Sequence, residues 1–181
     1  MLIYRTIAKR IERVFVATFR HSVSRTEMEV FRGAVAVDNQ GRIVQVTKSA
    51  EDTYRLLTLP GNESWKPTVH TADDEAFEIG RVDTHLHAPQ FPNRYLGDEL
   101  DLLAWLKAFT FPEELKHENA VYAAAVYERV VRALVRHGTT TALMYGTMHH
   151  WGTAALFEAA KRAKINAFIG NVHMERNADD K

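Results

Sequence analysis

The chain has 181 residues, with 23 Lys and Arg balanced by 23 Asp and Glu, nine His and no Cys. Zero net charge argues against a dedicated nucleic-acid binder, which needs a basic excess to neutralise phosphates. The lack of Cys excludes a disulfide scaffold, a thiolate metal site and a cysteine nucleophile. A 46% hydrophobic and 25% charged composition describes a chain that buries a core, yet its length falls short of the roughly 250 residues of a complete (β/α)8 barrel. No apolar run reaches the roughly 18–20 residues of a membrane span. Arg5, Lys9, Arg10, Glu12 and Arg13 interrupt any secretory signal in residues 1–19. That Arg-bearing start reads as an ordinary strand region rather than a transit peptide, with a cytoplasmic location as the default.

Two compositional halves meet near residue 80, giving an expected β-rich domain over 1–78 and a second domain over 79–181. In the first, Val14–Phe19 has strand propensity. Val30–Val37 and Ile43–Val46 flank the polar turn Asp38-Asn39-Gln40-Gly41 and predict a hairpin. Ser49–Leu57 suits a short helix, and Leu59–Ala76, with Pro60-Gly61 and Pro67, reads as a loop holding at most a short strand.

The second half alternates strand and helix. Arg81–His87 is a strand candidate closed by Pro89. Glu99–Phe109 is expected to be a helix with Leu102, Leu103 and Leu106 on one face. Pro112-Glu113-Glu114 suits the first turn of another helix. Ala120–Arg136 carries Tyr127, Val130, Val131 and Leu134 at helical spacing, with Gly138 as a left-handed cap. Thr139–Tyr145 is β-branched and apolar. Thr153–Lys164 is an Ala-rich helix with Thr153 as its expected N-cap, and Asn166–His173 is a third strand. Short helices between strands imply a parallel sheet.

The sharpest feature is Val82-Asp83-Thr84-His85-Leu86-His87. Residues i and i+2 of a strand share a face, so His85 and His87 project side by side, spaced to share one metal ion. Two half-exposed histidines are the alternative. Asp83 is expected on the same face, placed to orient an imidazole, with Leu86 pointing into packing. The pair lies at the carboxyl end of a strand, where parallel α/β folds place their sites.

These residues, Gly80-Arg81-Val82-Asp83-Thr84-His85-Leu86-His87 after a β-rich segment, resemble the amidohydrolase superfamily of metal-dependent barrel hydrolases. Within it, His87-Ala88-Pro89-Gln90, Leu103-Ala104-Trp105-Leu106, Thr110-Phe111-Pro112-Glu113 and His137-Gly138-Thr139-Thr140-Thr141 resemble the guanine deaminases, as do Met28-Glu29-Val30 and Gly41-Arg42-Ile43-Val44. The chain departs from the family at Ile79-Gly80-Arg81, where a Pro-Gly pair followed by an apolar residue is usual.

The resemblance implies a fold in which the second half is the first three strands of a (β/α)8 barrel, an α/β architecture. It implies one Zn2+, which activates water to attack C2 of guanine, releasing xanthine and ammonia in purine catabolism. His85 and His87 would be the first two zinc ligands; His87, Ala88, Pro89 and Gln90 would line the substrate pocket, with Gln90 binding the purine through an amide that both donates and accepts. Trp105, Phe109 and Phe111 would wall it, although core packing suits Trp105 better. The family's later ligands and its proton-shuttling Glu belong to strands this sequence does not contain, so no catalytic residue is assigned. The expectation is a truncated chain, inactive alone, from an enzyme that is a homodimer. A non-catalytic short form pairing with the full-length enzyme, a different ring substrate, and a plain metal-binding module are the competing readings. The lack of Cys excludes the unrelated zinc deaminases with a Pro-Cys-x-x-Cys site.

The other histidines carry less. His149, His150, His173 and Glu175 sit by position near the functional face, but exposed loop positions are expected for them. His137 reads as structural beside a helix end. His21, His70 and His117 carry no signal, and Arg129, Arg132 and Arg136 form a solvated face.

Overall fold

A computed structural model describes residues 11–62, 65–69 and 75–173. The chain divides into two compact units, Met1–Ile79 and Gly80–Lys181.

Among the described residues the first unit holds a five-stranded sheet. β1 (Arg13–Ser22) pairs antiparallel with β2 (Met28–Val37), which pairs antiparallel with β3 (Ile43–Thr47). The hairpin expected around Asp38 forms because the Asp38 carboxylate accepts the backbone N–H groups of Gln40 and Arg42, each at 2.9 Å, and Gly41 adopts a φ of +77°. This is a side-chain-closed turn of the kind Asp favours. α1 (Ala50–Leu57) begins where the Ser49 hydroxyl accepts the N–H of Asp52. A buried Thr47–Thr53 hydroxyl pair at 2.8 Å ties it to β3. β4 (Lys66–Val69) and β5 (Phe77–Glu78) both add in parallel to β1, so the expected loop holds a strand. Val14, Ala34, Ala36, Leu56 and Trp65 form the core. Residues 1–10, and with them most of the segment weighed as a leader, lie outside the described residues, as does His70.

Among the described residues the second unit holds a three-stranded parallel sheet, β6 (Arg81–His87), β7 (Thr139–Tyr145) and β8 (Asn166–Gly170), with β7 central. A 3-10 turn, Ala88–Asn93, leaves β6 directly. α2 (Leu102–Trp105) runs through a π turn, Leu106–Thr110, into α3 (Phe111–Leu115). α4 (Ala120–Arg136) links to β7, and α5 (His150–Ala163) links β7 to β8.

The strongest sequence patterns set the best-placed elements. Ala123, Val126, Tyr127, Val130 and Val131 of α4 are buried against Ala142 and Met144 of β7 and Leu156, Ala159 and Ala160 of α5. Burying a Val-sized or Leu-sized side chain contributes about 1.5–3 kcal/mol, so this face holds the unit together. Asn119 caps α4 by accepting the N–H groups of Val121 and Tyr122. Gly138, at φ +77°, ends it. Arg81 N–H then donates to the Gly138 carbonyl at 2.8 Å, and Gly80 lies against Thr140 so closely that a Cβ would meet its side chain. Gly80 and Arg81 therefore close against the start of β7 without a preceding Pro.

Three expected elements differ in extent. The helix expected over 99–109 starts at Leu102, because Asp101 accepts the Ala104 N–H. Its Leu102 and Leu103 stand exposed, and the backbone widens into the π turn before Pro112. The helix expected from Thr153 starts at His150. Thr153 is one turn inside, where its buried hydroxyl donates to the Thr147 carbonyl and accepts the Thr147 N–H. β8 ends at Gly170, leaving His173 beyond the strand, and Glu175 lies outside the described residues.

Candidate functional site

The β6 strand carries His85 and His87 to the end of the sheet from which the loops to the helices depart. Their ring centroids are 5.3 Å apart. Tyr145, in register with His87 on β7, stacks on the His87 ring at 4.6 Å and meets His85 at 5.5 Å. Leu86, in register with Met144, packs against the helix core. The two imidazoles thus share the side away from that core, as alternation requires.

Asp83 departs from its expected position. The β6–β7 register shifts between Asp83 and Leu86, which places Asp83 opposite the buried Ala142. One extra residue in β6 resets the alternation there. The Asp83 carboxylate accepts the backbone N–H of His85 at 3.1 Å instead of an imidazole N–H. It braces the bulge that presents His85.

Burial and the neighbouring His85 ring hold the His87 pKa below its ordinary value, favouring the neutral imidazole whose lone pair binds metal cations. The chemistry of this pair fits a borderline metal such as zinc. Among the described residues no group of three or more His, Cys, Asp or Glu side chains is placed to hold a metal ion.

The 3-10 turn after His87 divides its residues. Ala88 and Pro89 are fully buried, so they shape the turn, while Gln90 is half-buried. Asn93 donates to Thr110 at 3.2 Å inside the protein, tying this turn to the π turn. Trp105 is half-buried, its indole N–H donating to the Leu96 carbonyl at 2.7 Å. With Phe109 it closes on Gly97, where no Cβ fits and φ is +75°.

Sequence reasoning missed a buried polar cluster behind Gln90. Glu113 and Glu114, expected to lie in an ordinary first helical turn, are only 6% and 4% exposed. Glu113 accepts the Tyr122 hydroxyl and the Lys116 ammonium. Burial and this contact push Tyr122 up to about 12. Glu114 is different. Burial pushes it up to about 7, against the opposing pull of the Gln90 and Thr147 side chains, while Glu113 adds to the rise. Its Oε2 has no hydrogen-bond partner among the described residues.

His117, without signal in the sequence, is completely buried between Tyr122 and Tyr127. Its Nδ1 pairs with the Glu113 carbonyl at 3.0 Å, and burial lowers its pKa. His149 is half-buried, not an exposed loop residue, with its Nε2 enclosed; His150 and His137 are exposed. The available signal was the acidic pair immediately after Phe111-Pro112, followed four residues later by His117. Pattern alone does not distinguish a buried acid from a solvated first turn.

The amidohydrolase family model matches residues 78–181. Guanine deaminase of Escherichia coli K12 is 44% identical over 157 residues, covering 80% of this chain and 35% of that protein. Guanine deaminase of Dictyostelium discoideum is 32% identical over 180 residues, covering 96% of this chain and 40% of that protein. The solved structure of guanine deaminase from C. acetobutylicum with bound guanine in the active site superposes with a TM-score of 0.73 at 26% identity, covering 93% of this chain and 38% of that one. The chain therefore spans two fifths or less of the length of these relatives.

Proposed function

The chain belongs to the amidohydrolase family, and from that premise we propose that it supplies the first two metal ligands and the base-binding turn of a zinc-dependent guanine deaminase, which converts guanine to xanthine and ammonia. The observation that carries this reading is the His85–His87 pair at the end of β6, with Gln90 three residues on. The family is generally metal-dependent. On this reading the three parallel strands are the first three of a (β/α)8 barrel, residues 1–78 form its β-rich companion domain, and the assembled enzyme is a homodimer.

His85 and His87 would hold the ion, and Tyr145 keeps the His87 ring in place by stacking. When bound, zinc supplies Lewis-acid activation of water at neutral pH. Gln90 would bind the base edge through its amide, while Ala88 and Pro89 hold the turn rigid beneath it. Catalytic zinc sites normally use three protein ligands, so the reading requires further ligands outside the described residues.

The test is a zinc titration against a chromogenic chelator, with guanine binding followed in parallel. Binding of one Zn2+ that weakens at least tenfold in both His85→Ala and His87→Ala supports the reading. Zinc binding unchanged by either substitution overturns it.

A further inference from the structure

The segment that follows the 3-10 turn is an apolar surface on a fixed backbone. Tyr95, Leu96, Leu100, Leu102 and Leu103 all stand exposed, Tyr95 at 78%. Beneath them Leu96 N–H donates to the Asn93 carbonyl at 3.0 Å, Leu100 N–H to the Gly97 carbonyl at 2.9 Å, and the Trp105 indole to the Leu96 carbonyl. Contiguous exposed apolar side chains mark a contact surface, and a preorganised one loses little freedom on docking. Asp101 is committed to its cap on Ala104. Asp98 and Glu99, beside the leucines, have no ion pair among the described residues.

α4 carries the opposite charge. Its exposed side bears Arg129, Arg132 and Arg136 together with Val135 and Val121, the last 81% exposed. Glu128, the acid of this helix, is taken by Arg162. The three arginines have no acidic partner among the described residues, whereas Arg20, Arg42 and Arg55 are all paired with acids. The two patches are neighbours, because Arg94 at the start of the segment and Arg129 of α4 lie over the same Phe91 ring, at 3.9 and 5.8 Å. An acidic surface with exposed leucines complements a basic one with exposed valines, and each copy of the chain holds both side by side. We propose that the segment over 94–103 docks on α4 of a second copy, with Asp98 and Glu99 meeting Arg132 and Arg136. In a twofold dimer every contact recurs, so the segment and helix of each copy engage those of the other. Charge sets the register, and burial of the apolar side chains supplies affinity. This deepens the functional reading and rests on it only for the number of copies.

The experiment is sedimentation velocity of the intact chain over a range of concentrations, at low and high salt, with amide hydrogen exchange on the same samples. The wild type dimerises, its dissociation constant rises with salt, and the amides over 94–103 and 129–136 gain protection as concentration rises. Asp98→Arg with Glu99→Arg, and separately Arg132→Glu with Arg136→Glu, each weaken the dimer at least about tenfold, as losing close charge pairs across an interface does. Circular dichroism checks the fold of each variant. Mixed in equal amounts, the two variants regain a dimer, because every contact then joins opposite charges. A wild type that stays monomeric overturns the proposal, as does a dimer indifferent to salt and to both variants, or a pair of variants that do not rescue each other. Should a variant fail to fold, wild-type exchange decides: protection over 94–103 and 129–136 that does not change with concentration overturns the proposal. None of these outcomes alters the zinc titration, so the proposal and the functional reading fail separately.

Discussion

Replacing Glu114 by Gln is expected to make the protein more stable in alkali than in acid, relative to the wild type. The folded carboxyl holds its proton up to about pH 7, whereas an ordinary glutamate releases it near 4.5. Below pH 4.5 both states are protonated and the group costs nothing. As pH rises from 4.5 to about 7 the unfolded state alone ionises, and wild-type stability falls through that window. Above 7 the loss is complete. At ~1.4 kcal/mol per pH unit, the distance between the two values sets a loss of about 3 kcal/mol. A buried, 4% exposed group receives little screening from solvent, so that figure stands as an upper bound of the right order. Gln cannot ionise, so the variant escapes the slope. Any unsatisfied amide it introduces costs about 1–3 kcal/mol at every pH and shifts the curve without tilting it. The assay is urea unfolding of both proteins at half-unit steps from pH 4 to 9, read by Trp105 and Trp151 fluorescence in a Trp65→Phe background. The difference between the two should grow by up to about 3 kcal/mol between pH 4.5 and 7.5. A difference that stays constant across the range would falsify the argument that burial raises this carboxyl.

Gly33→Ala should destabilise the first unit by more than about 2 kcal/mol, because an added Cβ would stand 1.9 Å from the Thr47 carbonyl oxygen, a backbone atom that cannot swing aside; a loss below 1 kcal/mol in chemical denaturation refutes it. Tyr127→Phe should be neutral or stabilising by up to about 1 kcal/mol, since the buried hydroxyl has no hydrogen-bond partner among the described residues. A clear fall in Tm would show that the hydroxyl is satisfied. Ser49→Ala should cost about 1 kcal/mol by leaving the Asp52 N–H of α1 without its cap, and amide exchange at Asp52 should speed up; unchanged exchange counts against the cap.

Much of this molecule was legible because it depends on spacing along the chain. Arg81–His87, Thr139–Tyr145 and Ala120–Arg136 emerge with the expected bounds, since a segment closed by Pro89, a β-branched apolar run and a helical apolar stripe ahead of Gly138 are local signals. The pairing of His85 with His87 follows from strand alternation alone. What spacing cannot supply is the identity of the neighbour across space. The register shift that moves Asp83 off the histidine face arises only when β6 pairs with β7. Leu102 and Leu103 have the pattern of a buried face and lie exposed, because nothing among the described residues covers them. Glu113, Glu114 and His117 have the pattern of a solvated turn and lie buried, because α4 and the turn after His87 close over them. The sequence by itself determined the elements, their order and the paired imidazoles, since those rest on backbone geometry within a few residues. Only the tertiary structure decided which polar groups lose their water, because the side chains that cover Glu113, Glu114 and His117 come from other segments of the chain.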